Sequence, residues 1–263
     1  MKQLDINGTT LSVADEGEGH PVLLVHGFPL SHAMWSAQIK ALTPAFRMIA
    51  PDLRGFGAND AVEGTLSMEQ LADDLAAILD ALEIDQPITY CGLSMGGYIA
   101  CDFLRKHADR LQSLILCDTR AGADSEEGIR NRHKLAETVM THGSEACSRI
   151  MLPNLFAENS DAALVKALRS IINVTAPSTI AAALMGMATR PDSTDMLPSI
   201  KVPTLIIVGE HDNISTASEM RSMSEAIPNC IFKEIADAGH MAPMEQPSDV
   251  NNAIVAFLQS SQC

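Results

Sequence analysis

Apolar residues occur along the chain in short continuous runs, and longer segments with helical spacing lie between them. Such a run, about four to eight residues long, is typical of a strand buried on both faces of a parallel sheet. The run from Pro21 to Val25 is the first of this kind. The others are Phe46 to Ala50, Ile88 to Cys91, Leu111 to Cys117, Thr204 to Val208 and Ile231 to Ile235. We therefore predict one buried sheet built from these runs.

The segments between the runs predict helices. From Ser67 to Leu82, leucine and isoleucine recur on one helical face, and Ser67 with Gln70 forms a capping box at the start. The other helical segments are Met34 to Leu42, Gly97 to His107, Thr216 to Ala226 and Ser248 to Leu258. Alternating strands and helices predict an α/β fold with a mostly parallel twisted sheet and helices on both faces. In such folds ligands bind at the carboxyl ends of the strands.

The N-terminal segment has a different pattern. Lys2 to Ile6 and Thr10 to Ala14 alternate apolar and polar side chains, and Asn7-Gly8 between them is typical of a hairpin turn. We therefore expect the chain to begin with antiparallel strands.

The alternation of strand and helix stops at Asp118 and resumes at Val202. The segment between them predicts short helices, with breaks near Gly143, Pro153, Pro177 and Pro191. We interpret residues 1–119 and 199–263 as one α/β core and residues 120–198 as a helical cap. Functional insertions are often found over the sheet edge at which the ligand binds, and we expect the cap to fold over that edge.

The composition limits the kinds of partner and the cellular compartment that we expect for this protein. The formal net charge of −15 disfavours binding to phosphate backbones and to anionic lipid headgroups, because like charges repel. Neither nucleic acid nor a membrane surface is therefore expected as a partner. The six cysteines form no CxxC pair, which favours free thiols in a reducing cytoplasm. The N-terminus lacks a secretory pattern, and no segment approaches the roughly 20 apolar residues that span a bilayer.

A candidate nucleophile lies between a predicted strand and a predicted helix. The segment Gly92 to Gly97 contains the pattern G-x-S-x-G with Ser94 at its centre. This pattern marks a nucleophile when a sharp strand-to-helix turn holds the serine in a strained conformation, because larger residues at the glycine positions would collide. The alternative is a glycine-rich turn with an incidental serine. The strand before the motif and the helix after it favour the nucleophile.

A serine hydroxyl needs a base, and the base needs an orienting acid. Asp212 follows the strand at Thr204 to Val208, and His240 follows the next one, so both are expected at the edge where Ser94 emerges. The order Ser94, Asp212, His240 is the one this architecture uses. His211 is a competing base. Glu210, Asp237 and Asp118 remain alternative acids.

The chemistry also needs hydrogen-bond donors for an oxyanion. The backbone N–H groups of Phe28, after the first buried strand, and of Met95, directly after the nucleophile, are the candidates. His26 is interpreted as a structural histidine that bonds loop backbone. Trp35 and Met241 are candidate residues of an apolar substrate pocket. No cluster of His, Cys, Asp and Glu has the spacing of a metal site, so neither a metal nor an organic cofactor is expected.

Together these segments resemble the α/β-hydrolase family. The ones that carry the resemblance are His26 to Phe28, Asp52 to Gly57, Gly92 to Gly97, Gly209 to Asp212 and Ala238 to His240. Ser67 to Leu82 with the serine motif is similar to the 3-oxoadipate enol-lactonase-like branch and to small carboxylesterases. That resemblance implies the α/β-hydrolase fold and hydrolysis of a lactone or small carboxylic ester. Asn59 stands where the family pattern usually has serine.

Other functions remain open on the same residues. The triad also supports carbon–carbon bond hydrolysis of a ring-cleavage diketone, and perhydrolysis in which peroxide replaces water. A function of another class is a small-molecule sensor with a vestigial triad. The sequence leaves the physiological substrate and the oligomeric state open.

Overall fold

The computed structural model describes residues 1–261 and contains eight strands in a single sheet. In chain order the strands are β1 (Lys2–Ile6), β2 (Thr9–Glu16), β3 (Pro21–Val25), β4 (Arg47–Pro51), β5 (Ile88–Leu93), β6 (Leu111–Cys117), β7 (Thr204–Gly209) and β8 (Cys230–Ile235). Their order in the sheet is β1-β2-β4-β3-β5-β6-β7-β8. Strand β2 pairs antiparallel with β1 and β4, and all other neighbours are parallel. The predicted fold class is confirmed.

The helices of the described chain surround this sheet. They are α1 (Ser36–Leu42), α2 (Met68–Ala81), α3 (Met95–His107), α4 (Glu126–His142), α5 (Ser144–Met151), α6 (Ala162–Val174), α7 (Pro177–Ala188), α8 (Ala217–Ala226), α9 (Ala242–Glu245) and α10 (Pro247–Ser261). Helices α2 and α3 pack together, as do α1 and α10, and each pair also contacts the strands.

Local signals explain several boundaries. Asn7 and Gly8 have φ of 47° and 80°, as a two-residue hairpin turn requires, and Ile6 pairs with Thr9 across it. The Ser67 side chain accepts a hydrogen bond from the backbone N–H of Gln70 and caps α2. The segment predicted as one helix from Met34 begins instead as a 3-10 turn at His32–Trp35, and α1 follows it.

Strand β8 differs from the sequence prediction. We expected a strand buried on both faces, but Ile235 alone among its residues is fully buried, and Ile231 is 50% exposed. The reason is its position at the edge of the sheet, where β7 is its only neighbouring strand. The inner strands β3, β5 and β7 are buried throughout, as predicted.

Helices α4 to α7 form an insertion between β6 and β7, which are neighbours in the sheet. The prediction of short helices is wrong for α4, which has 17 residues. The two ends of the insertion meet, because the Ser193 N–H donates to the Ala121 carbonyl at 2.9 Å. The insertion is also bonded to the core, since the Leu66 N–H donates to the carbonyl of Ala182 in α7 at 3.0 Å. Its role as a cap stays a prediction.

Within residues 1–261 no single helix is long and apolar enough to cross a membrane. Helices α6 and α7 reach the required length and composition only as a pair, which is bent by 96°. The cysteines of this part of the chain, Cys91, Cys101, Cys117, Cys147 and Cys230, are free thiols. Cys263 lies outside the described residues.

Candidate active site

Ser94 occupies the sharp turn between β5 and α3. Its backbone φ of 53° and ψ of −111° belong to neither element, and such a conformation costs a non-glycine residue about 1–3 kcal/mol. Hydrogen bonds hold it there. The Ser94 N–H donates to the Cys117 carbonyl at 3.0 Å, and the Ser94 carbonyl accepts from the Gly97 N–H at 2.8 Å and the Thr119 hydroxyl at 2.7 Å. The Ser94 side chain is partly exposed at the end of the strand.

The glycines of the motif are required by close packing of backbone. A Cβ atom on Gly92 would lie 2.6 Å from the Gly96 carbonyl oxygen, and one on Gly96 would lie 2.4 Å from the Val25 oxygen. The Tyr90 hydroxyl also donates to the Gly96 carbonyl, at 2.7 Å. The turn therefore tolerates no side chain at either position, which is the physical reason for the G-x-S-x-G spacing.

Asp212 and His240 form a buried hydrogen-bonded pair. His240 Nδ1 lies 2.8 Å from Asp212 Oδ2, and the two residues are 3% and 4% exposed. The other carboxylate oxygen, Oδ1, accepts from the N–H groups of Ile214 at 2.7 Å and Ser215 at 3.0 Å. Because Nδ1 donates to the carboxylate, Nε2 is the nitrogen of His240 that can accept a proton.

The loops that carry this pair are packed against each other. The His211 N–H donates to the Ala238 carbonyl at 2.8 Å. A Cβ on Gly209 would lie 2.1 Å from the Gly239 carbonyl oxygen, so only glycine permits this approach. The geometry of Asp212 relative to His240 is thus set by backbone contacts as well as by the side chains.

The rival residues lie elsewhere. Glu210, His211 and Asp237 are exposed, and their ligand atoms lie within 4.8 Å of one another, so these three could hold a metal ion. Exposed groups of this kind are common without an ion, and no bound metal follows from the arrangement. Asp118 is buried and accepts the Gly209 N–H at 2.8 Å. Among residues 1–261, Asp212 is the carboxylate that bonds His240.

The loop after β3 runs beside the nucleophile. A Cβ on Gly27 would lie 3.4 Å from the Ser94 Cβ, which brings the neighbouring Phe28 close to the turn. His26 fixes this loop, since its Nδ1 donates to the Gly27 carbonyl at 2.9 Å and its Nε2 accepts the Leu53 N–H at 3.0 Å. Burial lowers the pKa of His26 to about 4, so the ring is neutral. The predicted structural role of His26 is confirmed.

The candidate oxyanion donors have suitable positions in the chain. Met95 is the first residue of α3, and the first N–H groups of a helix have no partner within it. Phe28 lies in the loop that approaches Ser94. Their assignment as oxyanion donors stays a prediction.

A buried contact between two loops was missed by the sequence reasoning. Asp52 Oδ1 lies 2.7 Å from His32 Nδ1 and accepts the His32 N–H at 2.9 Å, while Oδ2 accepts the Ala58 N–H at 3.0 Å. Burial acts to raise the pKa of Asp52, but the hydrogen bonds outweigh it and the pKa is lowered. Asn59, at the usual serine position, donates to the Asp52 carbonyl at 2.7 Å. The Asp52 carboxylate therefore joins the segments that follow β3 and β4.

The candidate pocket residues Trp35 and Met241 are both fully buried in this structure. Gln38 donates to the Pro243 carbonyl at 2.9 Å, which ties α1 to the segment that follows His240. This hydrogen bond brings the segment after β8 close to the segment after β3. The assignment of Trp35 and Met241 to a substrate pocket stays a prediction.

A cleft of about 600 Å³ lies between residues 156–164 of the insertion and the loops that carry Asp212 and His240. Its lining includes the carboxylates Glu158, Asp161, Glu210, Asp237 and Glu245. Neither Ser94, Asp212 nor His240 lines it. A surface with this charge repels anions.

The insertion contains a buried charge cluster. Asp124 pairs with Arg132 and with Arg190, whose Nη2 lies 2.8 Å from its Oδ1. Burial acts to raise the pKa of Asp124, but the two guanidinium groups lower it to about 2. Arg190 also lies over the ring of Tyr98 in α3, 4.1 Å from its centroid. This cluster connects α4, the end of α7 and the helix that follows the nucleophile.

Comparison with known proteins gives concordant results. A model of the family described as the alpha/beta hydrolase fold matches residues 20–247. The chain is 31% identical to 3-oxoadipate enol-lactonase 1 of Acinetobacter baylyi, over 97% of this chain and 95% of that protein. A thermophilic esterase from Thermogutta terrifontis, solved with malate bound, is 44% identical and superposes with a TM-score of 0.98 over 100% of both chains. The enol-lactonase from Burkholderia xenovorans LB400 is 29% identical, with a TM-score of 0.91 over 98% of this chain and 100% of that one.

Proposed function

The chain belongs to the alpha/beta hydrolase fold family, and from that premise we propose that it is a serine hydrolase of small carboxylic esters or lactones. The observation that carries the proposal is the buried Asp212–His240 hydrogen bond on loops at the same sheet edge as the strained Ser94. The similarity to esterases and enol-lactonases supports the hydrolysis of an ester or lactone. We further expect the protein to act in the cytoplasm.

In the first half of the proposed reaction, Ser94 Oγ attacks the substrate carbonyl carbon and its proton passes to His240 Nε2. Asp212 stabilises the resulting imidazolium through the 2.8 Å bond to Nδ1. The N–H groups of Phe28 and Met95 bind the oxyanion of the tetrahedral intermediate. When the intermediate collapses, the C–O bond to the alcohol breaks and His240 gives its proton to the departing oxygen. An acyl-serine remains on Ser94.

In the second half, water attacks the acyl-serine and His240 again accepts the proton. Collapse of this intermediate returns the proton to Ser94 and releases the carboxylic acid. With a linear ester the alcohol leaves after the first half. With a lactone the alcohol is part of the same molecule, so the product is a single hydroxy acid.

The charges of the insertion favour a substrate without charge. Arg130, Arg132, Arg149 and Arg190 are candidates for binding a substrate carboxylate, but Arg132 and Arg190 are held by Asp124. Arg149 lines a separate cleft with Thr138 and His142. Arg130 lies 3.6 Å from Glu126. Because Arg132 and Arg190 are already paired within the chain, and the net charge is −15, we expect neutral esters to be preferred over anionic ones.

The test is turnover of a panel of neutral esters and lactones of graded acyl size by the wild type and by Ser94→Ala. We expect kcat/KM to fall by at least about 10³-fold in the variant, since the oxyanion donors alone leave only residual catalysis. Ser170→Ala, on an exposed face of α6, is the matched serine control and is expected to retain full activity. Equal rates for the wild type and Ser94→Ala would refute the proposal.

Assays with other substrates separate the competing functions by their products. Cleavage of a ring-cleavage diketone, with no turnover of any ester, would assign carbon–carbon bond hydrolysis. Halide-dependent bromination in the presence of peroxide would assign perhydrolysis. Binding of a small molecule without turnover of any of these substrates would indicate a sensor.

A further inference from the structure

Asp118 is a buried carboxyl group that the proposed mechanism does not use. It directly follows β6, its φ is 45°, and none of its surface is exposed. At this residue the chain turns away from the sheet and enters the insertion. A carboxyl group in such a place is costly unless its hydrogen bonds contribute something specific.

The hydrogen bonds of Asp118 continue the pairing of β6 with β7. Cys117 and Ile207 are the last paired residues of the two strands. The Asp118 N–H then donates to the Ile207 carbonyl at 2.9 Å, and Asp118 Oδ1 accepts the Gly209 N–H at 2.8 Å. The carboxyl oxygen thus takes the place of a backbone carbonyl that the turning chain no longer supplies.

Gly209 is the point where the two catalytic loops meet. Its carbonyl accepts the Asp212 N–H at 3.1 Å, which closes the turn that carries the acid. Its Cα faces the loop before His240 so closely that a Cβ would lie 2.1 Å from the Gly239 oxygen and 2.5 Å from the Ala238 oxygen. A shift of Gly209 therefore moves Asp212 relative to His240.

The surroundings of the Asp118 carboxyl group disfavour a negative charge on it. Oδ2 is buried and has no hydrogen-bond partner among residues 1–261. The ionisable groups around the carboxyl are Asp212 of the acid loop, Cys117 of its own strand and Glu245 of α9. Burial, and then the negative charge of Asp212, raise the pKa of Asp118 well above its usual range.

We propose that Asp118 is a positioning residue whose carboxyl group holds Gly209 in place and thereby fixes Asp212 against His240. The role rests on the function proposed for Ser94, Asp212 and His240. A neutral group suits this position, because an ionised one would place a second negative charge near Asp212.

The test compares Asp118→Asn with Asp118→Leu. Asparagine keeps a neutral acceptor for the Gly209 N–H, so we expect kcat within about twofold of the wild type and an unchanged acid limb of the pH profile. Leucine has a similar size but no acceptor, so Gly209 loses its anchor, and a shift of about 1 Å in a catalytic group can lower a rate by about 10²-fold. We therefore expect kcat of Asp118→Leu to fall at least about tenfold, with KM changed by less than about threefold.

A spectroscopic readout separates positioning from folding. The proton on His240 Nδ1, in its hydrogen bond to Asp212, gives a downfield proton resonance that reports the pair directly. We expect this resonance in the wild type and in Asp118→Asn, and its loss or shift in Asp118→Leu. If Asp118→Leu does not fold, Asp118→Ser replaces it in both measurements. The serine side chain is smaller and shorter than that of aspartate.

Two outcomes would overturn the proposal. If Asp118→Asn loses activity as the leucine variant does and shifts the acid limb to lower pH, then Asp118 acts through a negative charge. If both variants match the wild type in kcat and in the His240 resonance, Asp118 has no positioning role. The resonance does not depend on turnover, so a failure of the hydrolase proposal, seen as activity that survives Ser94→Ala, remains distinguishable.

Discussion

Replacing Gly186 with alanine is expected to loosen the attachment of the insertion to the core. Gly186 lies in α7, where the helix crosses the segment that precedes α2. A Cβ at this position would lie 1.7 Å from the Leu66 carbonyl oxygen and 2.6 Å from the Leu66 carbonyl carbon. The N–H of the same residue, Leu66, donates to the Ala182 carbonyl at 3.0 Å. The clash and the hydrogen bond therefore involve the same two segments.

The expected change in the free energy of unfolding is the sum of three effects, two of them destabilising and one stabilising. A carbon and a carbonyl oxygen approach to about 3.3 Å at the closest, so α7 must retreat by roughly 1.6 Å. Overpacking of this kind costs about 1–3 kcal/mol, and loss of the Leu66–Ala182 hydrogen bond adds about 1 kcal/mol. Alanine in a helix interior regains about 1 kcal/mol relative to glycine. The steric effect wins, and the net loss is about 1–3 kcal/mol.

The assay is thermal unfolding followed by circular dichroism. For a chain of this size the loss corresponds to a Tm lower by about 2–12 °C. Gly122→Ala is the matched control, because its Cβ would lie 3.6 Å from the nearest atom, an oxygen of Asp192, and that is ordinary contact. We expect the Tm of this control to be unchanged. A Tm for Gly186→Ala within about 1 °C of the wild type would refute the reasoning.

Two further predictions concern buried ionisable groups. His26 has a pKa of about 4 in the folded protein and an ordinary value of 6.5, so the unfolded chain binds the proton first and stability falls as the pH drops through that range. Between pH 7 and pH 5 its contribution is about 2 kcal/mol, and urea unfolding of His26→Asn should show a pH dependence smaller by that amount. Asp124→Asn leaves the buried guanidinium group of Arg190 and the partly exposed one of Arg132 without their counter-charge, which is expected to cost about 3 kcal/mol. Denaturant unfolding at neutral pH measures this loss, and a loss below about 1 kcal/mol would show that solvent replaces the carboxylate.

Much of the sheet could be predicted because both faces of its inner strands are covered, which requires continuous apolar runs. Strand β8 shows the limit of that argument. Ile231, Phe232 and Ile235 suggest an inner strand, but Lys233 and Glu234 lie among them and are exposed, as the edge position allows. The capped start of α2 was predictable for the opposite reason, since Ser67 and Gln70 are neighbours in sequence.

The candidate site likewise has one part that the sequence predicts and another part that it does not. The glycines around Ser94 are visible in the sequence because close backbone approach forbids a side chain there. Asp118 was considered only as an alternative acid, because its actual partner, Gly209, lies 91 positions away. The pairing of Asp124 with Arg190 inside the insertion likewise arises between distant segments. Such contacts depend on tertiary packing, and no local pattern encodes them.

The insertion departs after β6 and rejoins the sheet at its immediate neighbour β7, and the Ser193 N–H closes its base on the Ala121 carbonyl. Its two junctions therefore stay together whatever the length or shape of the polypeptide between them, and the entropic cost of a longer segment is small. Recombination at these junctions would exchange the insertion as one unit, provided that the new segment again supplies the contact made by the Leu155 carbonyl, which accepts the Met241 N–H beside His240. Chimaeras joined at Ala121 and Ser193 would show whether the choice of substrate travels with the insertion.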